Sequence, residues 1–117
     1  MDIVKVADVP TYTPPVSVNP SPEHMPRHIQ GGEASSADFV VVNHSTFPPR
    51  TRVRMAAAPI GKIYLVLDGA ITLEQADGMR HVLLRGDSVF VPADEARALV
   101  NEAGVPAVIL VIKPPEK

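Results

Sequence analysis

The chain has 117 residues, 45% apolar and only 4% aromatic, with 13 prolines, no cysteine, no tryptophan and a formal net charge of −2. That length supports one domain with a modest core, and so much apolar content with so little charge excludes a wholly disordered chain. Eleven Lys and Arg against 13 Asp and Glu leave no basic excess to draw nucleic acid or an anionic membrane, and the missing cysteines exclude disulfide frameworks, thiolate zinc sites and cysteine nucleophiles together.

The first ten residues, MDIVKVADVP, carry Asp2 and Asp8 and no uninterrupted apolar run, so they do not read as a secretory signal. The longest apolar run, Val105 to Ile112 broken by Pro106, is far below the ~18 residues of a membrane span. A cytoplasmic protein is expected. Six prolines (Pro10, Pro14, Pro15, Pro20, Pro22, Pro26) fall in the first 30 residues, ahead of Gly31-Gly32 and the polar run Glu33 to Ser36, which all but excludes regular helix there. Residues 1–35 are therefore expected to form an extended Pro/Gly-rich arm, and residues 36–117 a β domain. The arm's four acids, Asp2, Asp8, Glu23 and Glu33, against Lys5 and Arg27 hold the whole net charge, leaving nine acids and nine bases from residue 36 onward. Ile3, Val4, Val6, Tyr12, Val16 and Val18 are more apolar content than a free tail carries, so the arm is expected to lie on its own domain or on a second subunit.

From Phe39 onward come short β-rich runs about ten residues apart: Phe39–Asn43, Arg50–Ala57, Ile63–Leu67, Ala70–Glu74, Arg80–Leu84, Ser88–Val91, Ala96–Val100 and Ala107–Ile112. That spacing points to an all-β sandwich or barrel. Gln75-Ala76-Asp77-Gly78 reads as a tight hairpin in which Asp-Gly accepts the positive φ of a type I′ turn. Ile63–Leu67 and Ala107–Ile112 are apolar on both faces, so both faces need cover, which predicts a homodimer.

The segment from Arg85 to Asn101 resembles the second motif of the cupin family, with Gly86, Pro92 and Asn101 at the matching spacing. Lys62-Ile63-Tyr64-Leu65-Val66-Leu67-Asp68-Gly69 is similar to the end of the first motif. The resemblance covers roughly residues 39–113. It implies a jelly-roll β-barrel of the small single-domain kind, with the Pro-rich arm outside it. Cupins usually hold a divalent metal with three His and one Glu; the aligned positions here are Ala56, Ala58, Lys62 and Arg97. Alanine has no donor atom, and protonated Lys and Arg have no free lone pair, so no metal and no other cofactor is expected. Arg50 and Asp94 stand where the motifs have glycine. Of the four histidines, His24 and His28 are read as packing within the arm, His81 as exposed, and His44 as a strand-end residue that could face the pocket.

Two registers are open. Strand parity places Arg50, Arg52, Arg54, Ala56 and Ala58 on one face of a strand and Lys62, Tyr64 and Val66 on one face of the next. The resemblance implies that these faces line the barrel and that Arg97 joins them. Binary patterning implies the reverse, with Val53, Met55, Ala57, Ile63, Leu65 and Leu67 inside. In the first register Arg54, Lys62 and Arg97, walled by Tyr64 and Phe90, would hold a small carboxylate or phosphate. The expected function is a metal-free cupin binding a small anionic metabolite. One alternative is a metal-independent isomerase, lyase or cyclase, with Lys62 as catalytic base or Schiff-base amine and Tyr64 or His44 as proton partner. Another is a structural dimer with a degenerate pocket.

Overall fold

In the computed structural model, residues 1–13 and 24–115 are described, so the arm residues Pro14 to Glu23 lie outside the described residues. The strands are β1 (Met25–Gln30), β2 (Val41–Phe47), β3 (Arg52–Ala56), β4 (Lys62–Asp68), β5 (Ala70–Gln75), β6 (Arg80–Leu84), β7 (Ser88–Val91), β8 (Arg97–Val100) and β9 (Ala107–Lys113). They form two facing antiparallel sheets, ordered β1-β2-β9-β4-β7 and β3-β8-β5-β6. This is the jelly-roll arrangement that the spacing of short strands implies.

Each of the eight expected runs supplies a strand. β1 is the addition, lying in the stretch assigned to the arm. It pairs with β2 from Met25 opposite Thr46 to Gln30 opposite Val42. Pro26 is accommodated because β1 is an edge strand of its sheet, where a missing N–H need not break a ladder. β2 also runs on to Phe47 although its sequence turns polar at Asn43. Alternation explains this: Val41, Asn43, Ser45 and Phe47 are buried while the residues between them are partly exposed, and β1 and β9 flank the strand on both sides.

Between the sheets, Phe47, Val66, Ile71, Leu99 and Ile109 lose essentially all contact with solvent. On β4 the even positions Tyr64 and Val66 point inward and Ile63 and Leu67 point out, as the family register requires. β3 follows the binary pattern instead, with Val53 buried and Arg52 and Arg54 exposed. A bulge between Val53 and Ala56 then resets the phase and sets Ala56 opposite Arg97.

Turn geometry carries several of the motif residues. Among the described residues, Arg50 (φ 60) and Asp94 (φ 66) are the non-glycine residues with left-handed backbone, and they occupy the two positions where the resembled motifs have glycine. The hairpin between β5 and β6 forms, but of its turn residues only Gly78 (φ 90) takes positive φ. Asp77 instead accepts a bond from Met79 N through its carboxylate at 2.9 Å, so the turn is a three-residue loop closed by glycine rather than type I′. Asn101 is fully buried. Its Nδ2 donates to the carbonyls of Phe47, Pro48 and Val105 at 3.0, 3.2 and 2.9 Å, tying the ends of β2, β8 and β9 together.

The described residues ahead of β1 lie against β1 and β2: Tyr12 N donates to Pro26 O at 3.1 Å, Arg27 Nε to Val9 O at 2.8 Å, and Asn43 Nδ2 to the Tyr12 hydroxyl at 3.0 Å. The outer face of the first sheet carries an apolar row, with Phe90 opposite Ile63 and Ile63 opposite Ile112. Phe90 is 64% exposed and Ile63 40%.

Two measurements check this description. Arg50→Gly relieves a left-handed arginine and should raise unfolding free energy in urea by ~0.5–1 kcal/mol. Asn101→Ala leaves three carbonyls short of a donor and should lower it by ~2–4 kcal/mol.

Candidate functional site

Because β2, β4 and β9 alternate in phase, one side of each contributes to a cavity of about 90 Å³ between the sheets, among whose lining residues are Lys62, Tyr64, Arg97 and Lys113. Arg97 lies across its wall, only 8% exposed. Its Nε donates to the Tyr64 hydroxyl at 2.7 Å and its Nη1 to the Ala56 carbonyl at 3.2 Å, while the guanidinium carbon sits 5.7 Å from the centre of the Tyr64 ring. These neutral partners fix the head group without neutralising it. Among the described residues no carboxylate lies within ion-pair distance of Arg97, and no Asp or Glu lines this cavity.

The electrostatic consequence falls on Lys62. Burial, then the charge of Arg97, then that of Lys113, pull its pKa down to about 8. Part of the population therefore carries a neutral amine near pH 8. Burial raises the pKa of Tyr64 despite the opposing charge of Arg97, so the hydroxyl keeps its proton and can donate it while accepting from Arg97.

The cavity's other side is built from the arm, β1 and β2. His24 stacks on Phe47 with ring centres 5.1 Å apart, and its Nδ1 is buried without a protein partner. Burial, then Arg97, lower its pKa to about 4, so the imidazole is neutral at physiological pH. Tyr12 lies flat against His28, centres 3.9 Å apart. His28 Nδ1 donates to Asn43 Oδ1 at 2.7 Å and Asn43 Nδ2 donates to the Tyr12 hydroxyl at 3.0 Å, closing this end with a hydrogen-bonded stack.

The expected site residues thus fall into two groups. Lys62, Tyr64 and Arg97 meet in one cavity. Arg54 does not join them: the β3 bulge follows it, and its side chain is in solvent. Phe90 faces outward on β7 and covers Gly61 instead of walling this cavity. His44 lies on the even, outer face of β2 opposite Arg27, where burial chiefly depresses its pKa, so it is no proton partner for Lys62. The third cation is Lys113, which sequence reasoning passed over although Ala107, Ile109, Val111 and Lys113 share one parity. His24 and Tyr12 were passed over too, because a proline-rich stretch gives no face on which to place them.

The residues present do not fit a metal. Ala56 and Arg97 face each other across β3 and β8, with Lys62 lining the same cavity, and none of the three side chains offers a lone pair at neutral pH. Among the described residues no three His, Cys, Asp or Glu side chains gather into a metal-binding group.

Residues 43–113 match the cupin domain. The chain belongs to the cupin family. A comparison with curated proteins finds no match by sequence. Among solved structures, the polyketide cyclase RemF from Streptomyces resistomycificus is similar at a TM-score of 0.85 and 22% identity, over 99% of this chain and 80% of that one. A sugar phosphate isomerase of the cupin superfamily from Silicibacter pomeroyi is similar at a TM-score of 0.76 and 18% identity, over 97% and 75%. An RmlC-like cupin from Shewanella frigidimarina is similar at a TM-score of 0.75 and 14% identity, over 100% and 93%. At these identities the likeness concerns the fold.

The depressed His24 makes a pH prediction. Because its folded pKa lies below its unfolded one, its contribution to stability is complete above about 6.5 and is lost as pH falls toward about 4. Urea unfolding across pH 4–7 should show wild-type stability falling with acid more steeply than that of His24→Phe, which keeps the stack on Phe47 and cannot be protonated.

Proposed function

We propose that this cupin holds a small anionic metabolite, a carboxylate or a phosphate, in its barrel cavity without using a metal. The observation that carries this reading is three cations, Lys62, Arg97 and Lys113, lining one cavity with no carboxylate among the described residues that line it. A buried cation without a counter-charge costs several kcal/mol, and an anion between them offsets that cost. Arg97 has its Nε and Nη1 committed to Tyr64 and Ala56, which leaves Nη2 to meet the ligand, while Lys62 supplies a mobile point charge.

Thermal-shift and calorimetric titrations with phosphate, acetate and pyruvate test the reading. A ligand at 100 times its Kd should stabilise the fold by ~2.7 kcal/mol. Lys62→Met should weaken binding about tenfold or more, the scale of one charge-assisted hydrogen bond. Affinity should also fall as pH rises through about 8, where Lys62 loses its proton. Absence of binding by every anion would overturn the reading.

A second reading is favoured by the partly neutral amine of Lys62 beside the protonated Tyr64: a metal-independent isomerase, lyase or cyclase working by proton transfer. Lys62 would take a proton from carbon next to a carbonyl, and Tyr64 would donate to the oxygen that gains charge. Two of the fold's neighbours bear the names of a cyclase and an isomerase, which is consistent with such chemistry on this scaffold. Deuterium exchange from solvent into a bound keto acid, abolished in Lys62→Met, is the expected result.

We propose further that a second copy of the chain covers the outer row of Phe90, Ile63 and Ile112. Light scattering should give a dimer for the wild type and a monomer for Ile63→Lys.

A further inference from the structure

Arg97 has two sides. One faces the cationic cavity, and the other lines a second space of about 320 Å³ with Leu73, Leu83, Val89, Gln75, His81 and Glu95 among its walls. This second space opens between β6 and β7, the strands that end the two sheets on that side. Its floor is aliphatic. At its mouth His81 Nε2 donates to Gln75 Oε1 at 2.7 Å, and Glu95 is exposed.

Size and charge together say how a ligand would divide itself. The cationic cavity, at about 90 Å³ against about 320 Å³ for the second space, is the smaller of the two and suits a head group. Arg97 lines both spaces, so a larger acid can keep its carboxylate on the guanidinium and lay its body in the second. Charge sets the direction: among the described residues, the first cavity is lined by three cations and no carboxylate, whereas the second is lined by Glu95 and no Lys or Arg but the shared Arg97. An anionic head is attracted to the first and repelled by Glu95 in the second. The second instead suits an apolar body whose far end carries a hydrogen-bond donor.

We infer that the cleft between β6 and β7 is a second subsite, which takes the uncharged body of a hydroxyaryl carboxylic acid whose carboxylate lies against Arg97 in the cationic cavity. This rests on the anion-binding reading, and names the class of molecule. Leu73, Leu83 and Val89 would clasp the ring, and Glu95 would accept a hydrogen bond from the hydroxyl.

Calorimetry on the full chain with acetate, 3-phenylpropanoate and 3-(4-hydroxyphenyl)propanoate tests it. The phenyl acid should bind about tenfold more tightly than acetate, the gain from burying roughly 60 Å² of apolar surface, and the hydroxyl should tighten binding further. Val89→Trp should remove the phenyl gain while leaving acetate affinity unchanged, and Glu95→Ala should remove the hydroxyl increment alone. Independently of any variant, nuclear Overhauser contacts from the ring protons of the bound phenyl acid should reach the methyls of Leu83 and Val89. Acetate binding with no gain from the ring, or ring contacts to Ile109 and Val111 instead, overturns the second subsite and leaves the anion site standing. If no acid binds, both fall together.

Discussion

A guanidinium held by neutral partners organises the interior of this barrel. Arg97 sits between two sheets whose other inward residues are mostly aliphatic, and it is fixed by a tyrosine hydroxyl and a main-chain carbonyl rather than by a carboxylate. A carboxylate there would have cancelled the charge and left an inert ion pair, the usual fate of a buried arginine. Hydrogen bonds from neutral oxygens satisfy the donors' geometry while leaving the field in place. Burial first, and this charge second, depress the pKa values of Lys62 and His24. The cavity is thus defined by a charge that the protein positions and does not neutralise.

Core and cavity share residues. Hydrophobic packing and the buried Asn101 clamp hold the sheets together, and the core runs up to the cavity wall, since Phe47, Tyr64 and Ile109 belong to both and Tyr64 also holds Arg97. β8 joins the two systems: Leu99 belongs to the core and Arg97, two residues earlier and on the same face, belongs to the cavity. The core thereby fixes the position of the groups that give the cavity its charge, and function resides in those groups rather than in the fold.

How much of this was legible beforehand follows physical lines. Strands flanked by turn residues and carrying β-branched runs, β4 to β9, could be read from local pattern alone, and the two motif resemblances, one ending at Gly69 and one through Gly86, Pro92 and Asn101, placed Lys62, Tyr64 and Arg97 together. What could not be read depended on pairing across the fold. β1 carries a proline and no alternation, and it is a strand because β2 has an edge to offer it. Arg54 was placed inward by counting residues in twos, and a single extra residue at the β3 bulge undoes the count beyond Val53. Lys113 stood in plain sight at the end of an aliphatic strand, but its neighbours Lys62 and Arg97 are brought to it only by β9 pairing with β4 and by the packing of one sheet on the other. Arg50 and Asp94 show the converse: the backbone keeps a glycine-like conformation where the side chain no longer advertises it.

The proline-rich N-terminus has a consequence for solubility. A sandwich of two open sheets has four free edges, each a row of unpaired amide groups that could recruit another chain. Here β7 is only four residues long, β3 is short, bulged and flanked by exposed arginines, and β6 begins with Arg80, tied to Glu74 and Glu102. β1, the remaining edge, is met by the chain's own beginning: Tyr12 N bonds Pro26 O and Val9 O receives the side chain of Arg27. The segment that lines one end of the cavity is thereby also the segment that shields an edge from intermolecular strand addition.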